Sequence, residues 1–423
     1  MSHLIDTFGA FVDRQAPAHP VRARRLLIAA YEAKKWQMRL APDRGLPPSK
    51  RELCLIMMQS ILDCLRRPEH SAMVSLFVPC EPLTALGVHP YSVEGLSCYL
   101  TGAGAYRAFL DHTVEDGVPE TLCSYHRVFL GAAGMHVMPA PRFVLHTNLA
   151  CDANQLTFRN LAGRFHIPDF AVDVPFAHSE EAVRYVAEQL RKMVRFIEDC
   201  SGQKLPEEAL RAAVGRSART AKNYRRYLSL QNDHWLSGDV TSELYAAFMN
   251  HVLLGTPQVE RFSQMCLEDV QNAPPRSGLN LLWLHTIPFW QQPVRQRLNF
   301  SDRVRIAACD MSYEGLVHMD ASKPYESMAA RMVYSGFNGS AEYRVKAALQ
   351  AARTVGADGV VYFCHWGCKA TLGAAQMVKQ SLEAAGFPTL ILDGDGCDPG
   401  NSSDGQVSTR LDAFLELLEA RNS

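Results

Sequence analysis

Short apolar runs alternate with amphipathic stretches over most of the chain, and the change of period outlines its architecture. Residues 22–38 and 50–65 open in helical register, the second stretch with Leu53, Ile56, Met57, Ile61 and Leu65 on one stripe. From residue 73 the period shortens. Runs at 73–78, 88–93 and 142–147 are too short for helices and end in polar or Pro-containing turns. They read as strands of a parallel sheet, with 167–175 as its edge. Ser179 then offers an N-cap to a helix reaching Cys200, with Val183, Val186, Leu190, Val194 and Ile197 as its apolar face.

Helical spacing continues through 206–230 and, as one long helix, through 241–272. The polar segment Gln271-Asn272-Ala273-Pro274-Pro275-Arg276-Ser277-Gly278 marks a boundary. Beyond it, apolar runs at 279–284, 304–309, 359–363 and 389–393 alternate with helical patterns, the last over 407–420. This alternation predicts an α/β chain with two Rossmann/flavodoxin-like parallel-sheet domains and additional helices. The expected divisions are a helical segment over 1–67, a first α/β domain over 68–178, a helical connector over 179–275 and a second α/β domain over 276–423.

Composition narrows the class. At 423 residues the chain is too long for one growing core, which agrees with two sheets. Lys and Arg total 43 against 44 Asp and Glu, so no charge surplus favours nucleic acid or an anionic membrane. No apolar run approaches the ~20 residues of a membrane span, and the N-terminus lacks signal-peptide features, so a cytoplasmic setting is expected. Twelve cysteines in such a setting point to metal or redox chemistry rather than disulfides. Gly102-Ala103-Gly104-Ala105 lacks the third glycine and the preceding strand of a dinucleotide loop.

The cysteines are not scattered evenly. Cys54, Cys64, Cys200 and Cys266 fall within helical patterns, where core filling accounts for them. Cys80, Cys123, Cys151, Cys364, Cys368 and Cys397 fall at strand ends or helix starts, with Cys309 a seventh. Open α/β sheets bind their ligands at the carboxyl ends of the strands, so two facing sheets would gather these thiols in one cleft. The run Cys364-His365-Trp366-Gly367-Cys368, directly after an apolar strand, is the densest case. Zinc would want a second close pair, which is missing; core filling and an iron–sulfur cluster remain, and the shared edge favours the cluster.

Three motifs add a resemblance. Val78-Pro79-Cys80-Glu81 precedes Ala85-Leu86-Gly87-Val88-His89-Pro90; Cys123-Ser124 and Cys151-Asp152 follow; and 386–395 leads into 405–416 near the end. From about residue 76 onward the chain resembles the 2-hydroxyacyl-CoA dehydratase / benzoyl-CoA reductase family. The resemblance implies a 4Fe–4S cluster on Cys123, Cys151 and Cys368. Pro79-Cys80-Glu81 and the Cys364–Cys368 run are most similar to the double-cubane cluster branch. That branch implies an 8Fe–9S cluster with Cys80, Cys364 and Cys397 as further ligands. Gly396 shifts the last of these by one position, leaving Cys309 as its substitute.

The resemblance also implies an ATP-hydrolysing activator that carries its own iron–sulfur cluster, a homodimer and a small-molecule substrate. No phosphate-binding Gly-x4-Gly-Lys loop occurs in this chain, which fits ATP binding by the activator. Trp366 and Gly367 would lie against the cluster, and His365 and Glu81 are the candidate proton donors or relays. The leading expectation is a double-cubane reductase. The alternatives are a 2-hydroxyacyl-CoA dehydratase subunit with one cubane and an iron–sulfur electron carrier.

Overall fold

The computed structural model describes residues 3–422. Three helices, α1 (His3–Gln15), α2 (Pro20–Leu40) and α3 (Pro48–Arg66), precede the first sheet. That sheet is built by β1 (Ser71–Val74), α4 (Glu81–Ala85), β2 (His89–Ser92), α5 (Val93–Gly102), α6 (Arg107–Glu115), α7 (Ser124–Gly134), β3 (Phe143–Thr147), α8 (Asp152–Phe165) and β4 (Asp169–Val172). Four helices follow: α9 (Glu180–Ser201), α10 (Glu207–Leu230), α11 (Val240–Val252) and α12 (Pro257–Gln271). The second sheet contains β5 (Leu279–Leu284), α13 (Gln292–Leu298), β6 (Val304–Cys309), α14 (Asp310–Glu314), α15 (Pro324–Val333), α16 (Ala341–Thr354), β7 (Gly359–His365), α17 (Lys369–Ala384), β8 (Thr389–Gly394) and α18 (Asp404–Asn422).

Both sheets are four-stranded and parallel, and their orders match: β2-β1-β3-β4 and β6-β5-β7-β8. In each, the chain steps to one side of its first strand and then crosses to the other. The crevice between β1 and β3, and that between β5 and β7, is therefore a topological switch point. The central strands are wholly buried, as a sheet covered on both faces requires, whereas β4 lies at an edge and is mostly open.

Local chemistry accounts for several boundaries. The Ser179 side chain accepts the Ala182 amide at the start of α9, whose apolar stripe is buried from Val183 to Ile197. The single helix expected over 241–272 is divided, because Gly255 takes a left-handed conformation (φ 87°) and Thr256 caps a fresh helix ahead of Pro257. Strand β7 runs on through Cys364 and His365, which pair with Asp393 and Gly394 of β8. Cys364 is thus a strand residue and not, as expected, the first residue beyond the strand. All twelve cysteines are unbridged. No described helix is long and apolar enough to cross a membrane.

Candidate functional site

The carboxyl ends of both sheets face one cavity of about 80 Å³, several times the space one water needs. Leu76 and Phe77 reach it from beyond β1, Ala150 and Cys151 from beyond β3, His285 and Thr286 from beyond β5, and His365 and Cys368 from the end of β7. Cys123 enters from the start of α7 and Phe248 from α11.

Three thiols meet here, and all three hold the same local position. Cys123 is the N-cap of α7, Cys151 of α8 and Cys368 of α17. Each helix turns its positive end toward the cavity, which favours anionic sulfur or an anionic group there. Burial acts in the opposite sense, pushing the Cys151 thiol up to about 12 and the Cys123 thiol well above its usual range, with the neighbouring thiols adding to both. Without a cation these groups stay protonated. A bound metal would displace the protons and relieve the mutual repulsion of the thiolates.

Each thiol also has an imidazole partner. Cys123 Sγ lies 3.1 Å from His365 Nε2, Cys151 Sγ 3.6 Å from His126 Nε2, and Cys368 Sγ 3.6 Å from His285 Nε2. The Thr371 hydroxyl donates to Cys368 Sγ at 2.9 Å. Burial holds all three imidazoles below the usual histidine value, His126 at about 4, so they are neutral at pH 7. Around them, buried polar atoms stand without a partner: His126 Nδ1, Tyr125 OH, both amide atoms of Asn154 and Arg344 Nε. Orphaned polar groups in a thiol-lined cavity mark a place that receives something. Backbone strain collects here as well. Ala150 (φ 66°) and His285 (φ 78°) both adopt the left-handed region that side chains avoid.

The donor set suits an iron–sulfur cluster. Soft thiolates come from three separate segments, with N–H and O–H groups around the sulfurs. Among the described residues no group of three or more His, Cys, Asp and Glu stands at the spacing of a single metal ion.

Cys80, Cys364 and Cys397 do not line the cavity. Cys80 is fully buried and donates to the Val78 carbonyl. Cys364 faces Asp393 from within the sheet, and Cys397 is buried next to Cys98. Cys309, their substitute, donates to the His285 carbonyl behind the cavity wall.

Glu81 is also elsewhere. Both its oxygens accept from Arg331, at 2.6 and 2.8 Å, and Ser217 donates a third bond, so the structure places it in a buried ion pair outside the cavity lining. Trp366 is 40% exposed and outside the lining. Gly367 supports the site through its backbone. Its φ is 82°, and a Cβ there would sit 2.6 Å from the Cys123 amide nitrogen, so only glycine lets this turn press against the Cys123 segment.

Sequence reading overlooked His126, His285, Glu94, Asn154 and Arg344. His126 does carry a signal, three residues after Cys123 in the first turn of α7. Glu94 stands in the first turn of α5, its carboxyl beside the Leu76 amide on the cavity wall. Burial pushes that carboxyl up to about 7. Because this exceeds the ~4.3 of an unfolded glutamate, the native chain keeps a proton that the unfolded chain releases between about pH 4.5 and 7. Stability contributed at low pH is therefore lost as pH rises through that window, by roughly 3 kcal/mol. Glu94→Gln should flatten this slope, as read from urea midpoints at about pH 5 and about pH 8. An unaltered slope would mean that Glu94 is ionised in the folded chain.

Comparison with known proteins follows the same outline. The family model described as 2-hydroxyglutaryl-CoA dehydratase, D-component, matches residues 75–418. The (R)-phenyllactyl-CoA dehydratase alpha subunit of Clostridium sporogenes is 22% identical over 395 residues, covering 88% of this chain and 95% of that protein. The (R)-2-hydroxyglutaryl-CoA dehydratase alpha subunit of Acidaminococcus fermentans is 26% identical over 310 residues, 67% of this chain and 62% of its own length. The (R)-2-hydroxyisocaproyl-CoA dehydratase alpha subunit of Clostridioides difficile is 22% identical over 325 residues, 71% of this chain and 78% of its own.

Proposed function

Because this chain belongs to the 2-hydroxyglutaryl-CoA dehydratase D-component family, we propose that it is the cluster-bearing subunit of an enzyme that removes water from a 2-hydroxyacyl-CoA thioester. The observation that carries the reading is the meeting of Cys123, Cys151 and Cys368, each at a helix N-terminus, in one cavity at the sheets' switch points. These cysteines would hold a 4Fe–4S cluster, which supplies one-electron chemistry and, with three protein thiolates, one iron open to an oxygen ligand.

The chain's own groups supply the remainder. Helix N-termini stabilise negative charge on the sulfurs. The apolar wall of Leu76, Phe77 and Phe248 excludes water from the reacting centre. The Glu94 carboxyl, protonated near neutral pH, can give its proton to a departing hydroxyl group.

The relatives named above are alpha subunits of dehydratases, which favours this reading over a double-cubane reductase and suggests a second subunit beside this chain. A D-component further implies a separate component that feeds it electrons; an ATP-hydrolysing activator with its own cluster fits that role.

Iron and sulfide analysis after anaerobic purification tests the proposal. About four irons per chain, with loss of water from a 2-hydroxyacyl-CoA once activator and partner subunit are supplied, is the expected result. About eight irons per chain would return the double-cubane reading, and an iron-free chain that still dehydrates would overturn both.

A further inference from the structure

The histidine beside Cys123 is held in one protonation pattern by the backbone. His365 ends β7, fully buried, and both its ring nitrogens have partners. The Gly396 backbone N–H donates to Nδ1 at 3.1 Å, and Nε2 lies 3.1 Å from Cys123 Sγ. A backbone amide can only donate, so Nδ1 must present its lone pair. The ring hydrogen then sits on Nε2 and points at the sulfur. An imidazolium, or the opposite tautomer, would set two N–H groups against each other at Gly396.

Asp395 offers His365 no competing bond. Its Oδ1 is 4.0 Å from Nδ1 and already accepts from the Ser124 hydroxyl and from the Cys397 and Asp398 amides. The loop that carries the arrangement is itself pinned, since the Gly396 carbonyl accepts from Trp290 Nε1 at 3.0 Å. Gly396 is the residue that displaces Cys397 from the position directly after Asp395. Its amide reads the imidazole instead.

We infer that His365 is a positioning residue: the Gly396 amide fixes it as the Nε2–H tautomer, and it donates an N–H···S hydrogen bond to the Cys123 thiolate that raises the reduction potential of the bound cluster. The part concerning potential rests on the cluster reading above; the tautomer does not. A hydrogen bond to a cluster sulfur disperses its negative charge and makes the added electron easier to accept. Both ring nitrogens of His365 are engaged, one by sulfur and one by the Gly396 amide, so the expected effect is on the cluster and on the thiol.

Two measurements test the inference separately. In the metal-free full-length chain labelled with ¹⁵N-histidine, long-range ¹H–¹⁵N correlation should show His365 neutral and protonated on Nε2 at about pH 7; a protonated Nδ1 would overturn the assignment. In the iron-loaded protein, His365→Phe should move the cluster's midpoint potential to a more negative value. His365→Gln, which keeps an N–H near the Nε2 position, should restore much of the shift. A His365→Phe protein with full iron content and an unmoved midpoint would overturn the role of the bond. If His365→Phe fails to fold or to load, His365→Leu takes its place: a more negative midpoint that His365→Gln restores is expected, and a fully loaded His365→Leu protein with the parent's midpoint overturns it. A parent chain that binds no iron would defeat the cluster reading while leaving the tautomer measurement to judge His365.

Discussion

Cys151→Ala and Cys368→Ala should each remove nearly all cluster iron and lower dehydration by more than about 100-fold. Even outer partners of metal ligands cost about 10–100-fold when mutated, and these two are among the three thiols of the described residues that reach the cavity. Neither variant should unfold. Both cysteines are N-caps without a side-chain cap bond, and alanine at 368 gives up the 2.9 Å bond from the Thr371 hydroxyl, a loss of about 1 kcal/mol. Cys54→Ala, in α3, should leave iron untouched. So should Cys80→Ala and Cys364→Ala, whose sulfurs are buried outside the cavity. Iron analysis with visible absorption of the anaerobic proteins reads all five. Should Cys80→Ala or Cys364→Ala halve the iron instead, the six-cysteine double cubane would regain the argument.

Arg331→Met should be among the most damaging changes to stability. Glu81 of α4 is wholly buried and takes two hydrogen bonds from Arg331 of α15 and one from Ser217 of α10, so one carboxylate ties three separate segments. Removing the guanidinium strands that carboxylate in the interior, at a cost of roughly 3–5 kcal/mol. The pair itself is worth much less than its rupture costs, because two charges were desolvated to make it. Glu81→Leu combined with Arg331→Met should therefore recover most of the loss, which a denaturant titration of the single and double variants would show. If both single changes prove harmless, water reaches this pair in solution.

The sheets were legible in the primary structure for a simple reason. A strand covered on both faces has few polar positions to hide it, so Leu279–Leu284 and Val304–Cys309 stand out as apolar runs despite the buried Asn280 and Arg305 within them. Ser179 announced α9 because a hydroxyl before an amphipathic run satisfies an amide that nothing else can reach. The break at Gly255 does not show in the period, because apolar spacing carries across it from Val252 to Val259.

The site divides in the same way. By itself, the order of residues determined that most of the candidate cysteines lie near strand ends and helix starts, since the change of period marks where an apolar run gives way to a turn or a helix. Which of them share a cavity was decided by tertiary structure. Two further ladder pairs drew Cys364 into β7, an ion pair claimed Glu81, and the side chains of His126, His285 and Glu94 came to the cavity from three different segments. Period and capping act over a few residues, whereas the meeting of side chains depends on how two sheets face each other, a relation carried by packing across hundreds of residues and by no short stretch of sequence.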